Sequence, residues 1–412
     1  MKTDLKSDST DNSAVSVIYL NIGGISMKRN SDRVMLCVLV AMVVLALSAL
    51  TFNRNVIRDA VDSEKQSAQS QADWEQMLGE EAVPDEEEEP YFDDDGQREI
   101  SCWGDSMIEG DGADIAFIET PDGVKDISYY TAPYTLQEMT GIRTYNFGVG
   151  GAASDEISIR AGGLVLYTDR DVYINNKKAT RVALVDGSGN RINMSDYYGY
   201  GGEDNDMPDA FYINGYLCTI KPIWNSDEVK LKLYKEPGTK GRQYAFIPRD
   251  SEVTPKAAAD HSQDIMILEM GSNGGWQSDY DILIMQYLSI IQKHNCSKYI
   301  IVGDTDDPGT SLGDINQDVV NDDGSYIGTG ETMWETALHD AFGDHFINMR
   351  VYMLENGLED CGFTMTEQDW EDYERGIISS QLRSDWTHFN SYGYYAKGKG
   401  LYLKGVELGY WE

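Results

Sequence analysis

Two short motifs near opposite ends of the chain carry the residue types of a serine nucleophile and its base. Ser106 stands in the run Gly104-Asp105-Ser106 directly after an apolar stretch, and Asp385 precedes His388 by three positions. A serine hydroxyl is a poor nucleophile until a base takes its proton, and histidine suits that task near neutral pH. A carboxylate then orients the imidazole. The motifs predict Ser106 as nucleophile, His388 as base and Asp385 as orienting acid, although each alone is also typical of an ordinary turn or helix cap.

Donors for a developing negative charge are present as well. Acyl transfer places charge on a carbonyl oxygen, so a site for it needs fixed N–H groups. Candidates are the backbone N–H of Ser106, a backbone N–H within residues 146–151 (NFGVGG), and the side-chain amide of Asn273 in MGSNGG. Neither a GxGxxG pattern nor a Lys-Ser pair accompanies these glycines, which disfavours a phosphate-binding loop. The pattern favours an oxyanion site assembled from several strand ends.

Apolar runs alternate with amphipathic stretches after residue 97, and this rhythm predicts an α/β fold. The predicted strands are REISCWGDSM, IRTYNFGVGG, DIMILEMGSN, KYIIVGD and HFINMRVYML. The predicted helices are YTAPYTLQEMTG, DYDILIMQYLSIIQKHN, TMWETALHDAFGD and the segment from Ser391 to Leu408. Strands that alternate with helices indicate a mainly parallel sheet covered on both faces, a three-layer α/β/α sandwich. Ligands bind at the carboxyl ends of such strands, where the motifs above lie.

One segment breaks this rhythm. Residues 163–253 contain short alternating runs separated by Gly, Asn and Asp, which is typical of antiparallel strands. We predict a β-rich module, a small barrel or sandwich, inserted between two parts of the α/β domain at 98–162 and 254–412.

Taken together and in this order, the motifs resemble those of the SGNH (GDSL-like) hydrolase family. The resemblance covers residues 98 to about 408, apart from the insertion. It implies Ser106 as nucleophile, His388 as base, Asp385 as its partner, and oxyanion donors at Ser106, Gly151 and Asn273, with no metal and no cofactor. Gly148 and Gly150 compete for the second donor position, and the family spacing from Asn146 favours Gly151.

The third block departs from the family pattern. Members often read GxND there, whereas this chain has Gly271-Ser272-Asn273-Gly274. The amide is kept and the adjoining acid is missing. What supports the Asn273 side chain is therefore an open question at the level of sequence.

The N-terminal region predicts attachment to a membrane. Residues 34–52 are 19 positions without a charge, and at about 1.5 Å per residue they nearly span a bilayer core of roughly 30 Å. We expect a signal anchor with a polar tail at 1–33 and an acidic, disordered stalk at 53–97. Basic residues flank both ends of the span, so the positive-inside rule leaves the topology open. A single-pass protein of the cell membrane with an extracellular catalytic domain is the preferred interpretation.

Charge and composition exclude several classes of function. The formal charge is −37, from 70 acidic and 33 basic residues, and such a field repels nucleic acid and anionic lipid headgroups. Five dispersed cysteines form no CxxC pair, which predicts free thiols rather than a zinc site or a disulfide framework.

Other polar residues were weighed as site candidates. The run from Asp314 to Asp318 fails the EF-hand pattern. Residues Asp304 to Asp307 are interpreted as a solvated loop, with a substrate-lining role as the alternative. Arg383 is expected in a salt bridge, with a substrate contact as the alternative. The remaining four histidines are interpreted as surface or helix-end residues without a triad carboxylate; they are His261, His294, His339 and His345.

These features predict a serine esterase at the cell surface. The expected reaction is removal of acetyl or another small acyl group from carbohydrate, inferred from the tether, the acidic stalk and the tyrosines of the insertion. Two alternatives stay open: an O-acyltransferase acting on surface polysaccharide, and a non-catalytic carbohydrate-binding protein. A lipid esterase is disfavoured by the charge.

Overall fold

The computed structural model describes residues 98–121, 123–194, 210–223, 226–235, 238, 240–308 and 328–412. The predicted polar tail (1–33), membrane span (34–52) and acidic stalk (53–97) lie outside the described residues, as does the run from Asp314 to Asp318. Within the described ranges, no helix combines the length and the apolar character that crossing a bilayer requires.

The regular elements alternate along the chain. The strands are β1 (Ile100–Gly104), β2 (Phe117–Thr120), β3 (Gly123–Asp126), β4 (Thr144–Gly148), β5 (Leu166–Thr168), β6 (Val172–Asn175), β7 (Thr180–Val185), β8 (Arg191–Ile192), β9 (Phe211–Ile213), β10 (Tyr216–Pro222), β11 (Glu228–Leu233), β12 (Tyr244–Ile247), β13 (Glu252–Pro255), β14 (Ile265–Leu268), β15 (Tyr299–Val302) and β16 (Phe346–Ile347). The helices are α1 (Ser106–Glu109), α2 (Ala132–Thr140), α3 (Ser154–Arg160), α4 (Lys256–Asp260), α5 (Tyr280–Lys293), α6 (Met333–Phe342), α7 (Met349–Asp360), α8 (Glu367–Glu374) and α9 (Ser391–Glu407). Single 3-10 turns occupy Gly343–His345 and Ser380–Leu382.

A parallel sheet with helices forms the α/β part, so the predicted class is confirmed. Its strand order is β16-β15-β14-β1-β4, and every neighbouring pair is parallel. Each residue of β1 and β14 is buried, which suits their continuous apolar sequences. The register places Gly104 at the end of β1 beside Gly148 at the end of β4. The carboxyl ends of the central strands therefore meet at one edge.

Alternate residues of β1 and β14 belong to two separate apolar clusters. Cys102 and Ile267 belong to a cluster completed by α2, α7 and α9. Trp103 and Leu268 belong to a second cluster completed by α3, α5 and α6. Since neighbouring strand residues point to opposite faces, the two clusters lie on opposite faces of the sheet.

Antiparallel strands fill residues 166–255, as the alternating runs predicted. Seven of them follow the order β11-β10-β9-β13-β5-β7-β8, and β11 also pairs with β7. That extra pairing closes six strands into a ring. Their buried residues form an apolar cluster of their own around Leu184, Phe211 and Leu231. The short pair β6–β12 joins the same cluster through Ile174 and Ala245.

One predicted strand is largely wrong. In HFINMRVYML only Phe346 and Ile347 are extended, and α7 begins at Met349. Asn348 is the reason, because its side chain accepts a hydrogen bond from the backbone N–H of Val351 at 3.1 Å and caps the helix. The hairpin β2–β3 and helices α3, α4 and α8 were not predicted.

Candidate active site

A sharp strand-to-helix turn presents Ser106. Strand β1 ends at Gly104, Asp105 caps the next helix, and Ser106 is its first residue. A Cβ atom at Gly104 would lie 2.4 Å from Cγ1 of Ile108 and 2.8 Å from the carbonyl oxygen of Glu269. The turn is therefore open only to glycine. It leaves Ser106 at the carboxyl edge of the sheet with 7% of its surface exposed.

The histidine motif meets this serine. Nε2 of His388 lies 3.0 Å from Oγ of Ser106, and Nδ1 lies 2.8 Å from Oδ2 of Asp385. The second oxygen of Asp385 accepts the backbone N–H groups of Thr387 at 2.8 Å and His388 at 2.7 Å. Partial burial acts to raise the pKa of Asp385, but these hydrogen bonds outweigh it and lower that pKa to about 2. The carboxylate is thus ionised at neutral pH and holds the imidazole.

Arg383 holds the loop that carries this pair. Its guanidinium donates to the carbonyl oxygens of Trp386 and Thr305, both at 2.9 Å, and to Oδ1 of Asp307 at 2.9 Å. The predicted salt bridge is therefore present. The same loop is closed by the backbone N–H of Ser384, which donates to the carbonyl of His388 at 2.9 Å. The loop is thus braced both within itself and to the segment after β15.

Asp105 links the serine turn to the loop after β14. One carboxylate oxygen accepts the backbone N–H of Met107 at 2.9 Å. The other accepts the hydroxyl of Ser272 at 2.8 Å and the amide of Asn273 at 3.1 Å. Asn273 also donates to the carbonyl of Ala152 at 3.4 Å. Asp105 thus supplies the support for Asn273 that the missing acid of the third block left open.

The three competing glycines differ in what their amides do. Gly148 donates to the side chain of Asn146 at 2.9 Å, and Gly150 donates to the carboxylate of Glu109 at 2.5 Å. For the backbone N–H groups of Gly151 and Ser106, the described residues offer no hydrogen-bond acceptor. Gly151 has a φ of 74°, a conformation that favours glycine. Two of the three donors that the resemblance implies are therefore unengaged, and the third is engaged by Asp105.

A buried ion pair lies beneath the serine helix. Nζ of Lys397 lies 2.8 and 2.6 Å from the carboxylate oxygens of Glu269 and donates to the carbonyl of Met107 at 3.1 Å. Both side chains are almost fully buried, at 0% and 7% exposure. Burial raises the pKa of Glu269 to about 7, and the nearby ammonium opposes that rise. The pair connects α9 and β14 to the first turn of α1.

Two further side chains fix the same edge. Arg160 donates to the carbonyl oxygens of Gly104 at 2.9 Å and Phe147 at 3.1 Å, which joins the ends of β1 and β4. The hydroxyl of Tyr394 donates to the carbonyl of Asp111 at 2.6 Å. Arg160, Glu269 and Lys397 were not among the predicted site residues. The sequence feature that could have identified them is an ionisable residue at the end of an apolar strand or on the apolar side of a helix.

Two expectations about polar residues need correction. The loop at Asp304 to Asp307 is not solvated, because Thr305 and Asp306 are 1% and 5% exposed. Burial, followed by the neighbouring Asp304 carboxylate, raises the pKa of Asp306 to about 9. Two of the other histidines do have carboxylate partners, since Nδ1 of His261 lies 2.9 Å from Oδ2 of Asp264 and Nδ1 of His339 lies 2.8 Å from Oε1 of Glu331. Among the described residues no serine hydroxyl bonds to the imidazole of His261 or His339, so neither competes with His388.

One cluster in the described part of the chain has the composition of a metal site. Glu99, His261 and Asp264 offer ligand atoms within 4.8 Å of one another. They precede β1 and β14, and so lie at the opposite edge of the sheet from Ser106. Arg143 stands 3.7 Å from Glu99, and Tyr145 donates to the same carboxylate at 3.2 Å. With a guanidinium beside it, the cluster is better described as a partly buried hydrogen-bonded network.

Comparisons with known proteins give little guidance. No protein-family model matches the chain, and no curated protein matches it. The chain is similar to a solved structure described as "Peptidoglycan O-acetylesterase in action, 5 min", with 12% identity over 76% of this chain and 92% of that chain. The TM-score is 0.25, which does not establish a common fold. The interpretation of the site depends on its own geometry.

Proposed function

We propose that this protein is a serine esterase of the SGNH type, which removes acetyl or another small acyl group from carbohydrate. The observation that carries the proposal is the hydrogen-bonded series from Ser106 through His388 to Asp385, with distances of 3.0 and 2.8 Å. A nucleophile, a base and an orienting acid within hydrogen-bond reach are what covalent acyl transfer requires. The position of the series at the carboxyl edge of a parallel sheet supports a ligand site there.

The proposed reaction has two halves. In the first, His388 takes the proton of Ser106, Oγ attacks the ester carbonyl, and the sugar hydroxyl leaves with the proton from His388. In the second, His388 deprotonates a water molecule, which attacks the acyl-enzyme, and the acid product leaves as Ser106 regains its proton. Ionised Asp385 stabilises the imidazolium in both halves.

The oxyanion is held by the donors implied by the family resemblance. The unengaged N–H groups of Ser106 and Gly151 support two of these assignments. Asn273 keeps its 3.1 Å hydrogen bond to Asp105 and turns its second amide hydrogen from the long 3.4 Å contact with Ala152 to the oxyanion. Fixed donors of this kind are worth roughly 100- to 1,000-fold each in rate.

We further propose the arrangement of the whole chain that the sequence predicts. A three-layer SGNH domain is formed by 98–162 and 254–412, with the β-rich module 163–253 inserted. The uncharged run at 34–52 anchors the protein in the cell membrane as a single span, and the acidic stalk at 53–97 holds the catalytic domain outside the cell. Support for the anchor comes from 19 consecutive uncharged residues.

Hydrolysis of p-nitrophenyl acetate by the full-length protein tests the proposal. We expect Ser106→Ala and His388→Ala each to lower kcat/KM at least about 1,000-fold, and the double variant to lose little more, because the two groups act as a unit. Ser188→Ala, on an exposed turn of the β-rich module, is the matched control and keeps wild-type activity. Wild-type protein no faster than Ser106→Ala would refute the esterase. Acyl transfer to an added sugar alcohol in preference to water would replace it with an O-acyltransferase.

A further inference from the structure

A groove of about 420 Å³ opens beside the catalytic loop. Its lining includes Asp385 and Trp386, together with Asp307, Asp372, Ile377 and Arg383. This volume falls within the usual range for small-ligand sites. Asp385 lines the groove and also bonds to His388, so the groove adjoins the hydrogen-bonded series that ends at Ser106.

Trp386 gives the groove an aromatic wall. Its side chain is 64% exposed, which is unusual for so large an apolar group. The backbone beneath it is fixed, since its carbonyl accepts from Arg383 at 2.9 Å and the next two N–H groups bond to Asp385. An exposed indole presents a flat apolar face, with one N–H at its edge. That surface matches the C–H face of a pyranose ring.

The remaining walls supply hydrogen-bond acceptors and little positive charge. Asp307, Asp372 and Asp385 are acidic, and Arg383 is the one basic residue among the lining residues. The Arg383 guanidinium is already occupied by Asp307, Thr305 and Trp386, while its buried Nε–H has no acceptor among the described residues. Carboxylates accept hydrogen bonds from hydroxyl groups and repel other carboxylates. The groove therefore suits an uncharged, hydroxyl-bearing ligand.

We propose that this groove binds a neutral sugar residue adjacent to the acylated one, with the ring packed on Trp386 and hydroxyls donated to Asp307 and Asp372. The inference rests on the proposed esterase function and narrows its substrate to neutral acylated glycans. Anionic glycans built from uronic acids are excluded by the three carboxylates.

Titration calorimetry on the full-length Ser106→Ala protein tests binding without turnover. The probes are O-acetylated xylotetraose, mannotetraose and chitotetraose as neutral ligands, and O-acetylated tetragalacturonate as the anionic one. We expect at least one neutral ligand to bind, Trp386→Ala in this background to weaken that binding about tenfold or more, and Trp386→Phe to keep most of it. The matched control is Trp370→Ala, since Trp370 is 57% exposed but does not line the groove. It is expected to change the affinity less than about twofold.

Steady-state kinetics of Trp386→Ala in protein that keeps Ser106 distinguish two effects. One is loss of sugar binding in the groove, and the other is displacement of the loop that carries Asp385 and His388. Trp386→Ala lowers kcat/KM on the bound neutral oligosaccharide, chiefly through KM, by at least about tenfold more than on p-nitrophenyl acetate. Equal losses on both substrates would overturn the inference, as would no neutral ligand bound, binding independent of Trp386, or equal binding of the galacturonate. In each of these cases the wild-type protein still hydrolyses p-nitrophenyl acetate, whereas failure of the esterase proposal means that the wild type does not hydrolyse it and leaves sugar binding measurable.

Discussion

Asp385 hydrogen-bonds to His388 through both of its carboxylate oxygens. Oδ2 lies 2.8 Å from Nδ1 of the imidazole, while Oδ1 accepts the backbone N–H of the same residue at 2.7 Å. The first contact directs the Nδ1 proton to Asp385 and leaves Nε2 to accept from Ser106. The second fixes the distance between the two residues. A single side chain thus sets the tautomer of the base and its position.

We expect replacement of the Asp385 carboxylate to lower kcat with little effect on folding. Asp385→Asn keeps the shape but presents an amide that cannot stabilise the imidazolium, so kcat on p-nitrophenyl acetate should fall roughly 10,000-fold. The control is Asp340→Asn, an exposed residue of α6 far along the chain from the site. Steady-state kinetics and circular dichroism measure the two effects. An Asp385→Asn protein with more than a tenth of wild-type kcat would contradict the assignment.

The link between Asp105 and Asn273 leads to a second prediction. Asn273→Ala removes an oxyanion donor and should lower kcat about 100- to 1,000-fold with KM little changed. Asp105→Asn keeps a side chain of the same size but presents an NH2 group to donors, so the amide of Asn273 loses its orientation and kcat falls by about tenfold or more.

Ser272→Ala is the control for this pair, because Ser272 bonds to the same oxygen of Asp105 at 2.8 Å without a role in the oxyanion site. Its kcat should fall less than about fivefold. The changes in kcat and in KM are measured separately on p-nitrophenyl acetate for all three variants. If Asn273→Ala acted no more strongly than Ser272→Ala, Asn273 would not be a donor.

The contacts among Ser106, His388 and Asp385 could be anticipated from the sequence, because a parallel sheet brings its strand ends together. Ser106 follows an apolar run, and parallel strands deliver their carboxyl ends to one edge. The 3.0 Å contact between Ser106 and His388 spans 282 positions, yet both motifs were local and recognisable. Gly104 could be placed at the turn for the same reason. The lack of space for a Cβ atom at this position, however, is visible only in the structure.

The supports of the site could not be predicted, because their partners are set by packing. Glu269 and Lys397 are 128 positions apart and meet through the docking of α9 on the sheet. Local patterns also failed where one residue decided the outcome, as at Asn348, whose cap turns an apolar run into a helix. Burial of Asp306 was missed since an acidic loop is usually solvated and Arg383 lies far away in sequence.

The buried pair of Glu269 and Lys397 yields a third prediction. Lys397→Met leaves an unpaired buried carboxylate and should lower the free energy of unfolding by about 3–5 kcal/mol. Glu269→Leu leaves the Lys397 ammonium buried without its carboxylate partner and should lower the free energy of unfolding by a similar amount. The double variant replaces both by apolar groups and should recover much of the loss, so the two effects are far from additive.

Urea denaturation of the four proteins measures this coupling. Lys399→Met is the control, since Lys399 bonds to Asp360 at a half-buried position elsewhere on α9. Its effect should add to that of Glu269→Leu within about 0.5 kcal/mol. Additive losses from the Glu269 and Lys397 variants would show that the pair does not interact.

Asp306 makes stability depend on pH in a direction that can be worked out. Burial first, and then the carboxylate of Asp304, raise its folded-state pKa to about 9, against an ordinary value near 3.8. Between these values the folded protein holds a proton that the unfolded chain has released. Stability therefore falls as pH rises through this window, and it is restored when pH drops below the ordinary value. The guanidinium of Arg383 opposes the shift without reversing it.

Asp306→Asn removes this dependence, because an amide resembles the protonated carboxyl group and does not ionise. We expect the variant to gain stability over the wild type as pH rises from 5 to 8, by at most about 1.4 kcal/mol for each pH unit. Urea denaturation at pH 5, 6, 7 and 8 gives the difference, and the exposed Asp340→Asn variant should show none of this trend. A difference between Asp306→Asn and wild type that stays constant over these pH values would mean that Asp306 is ionised in the folded protein. In that case Arg383 would compensate its charge, and the loop after β15 would carry a buried carboxylate beside the loop of Asp385 and His388.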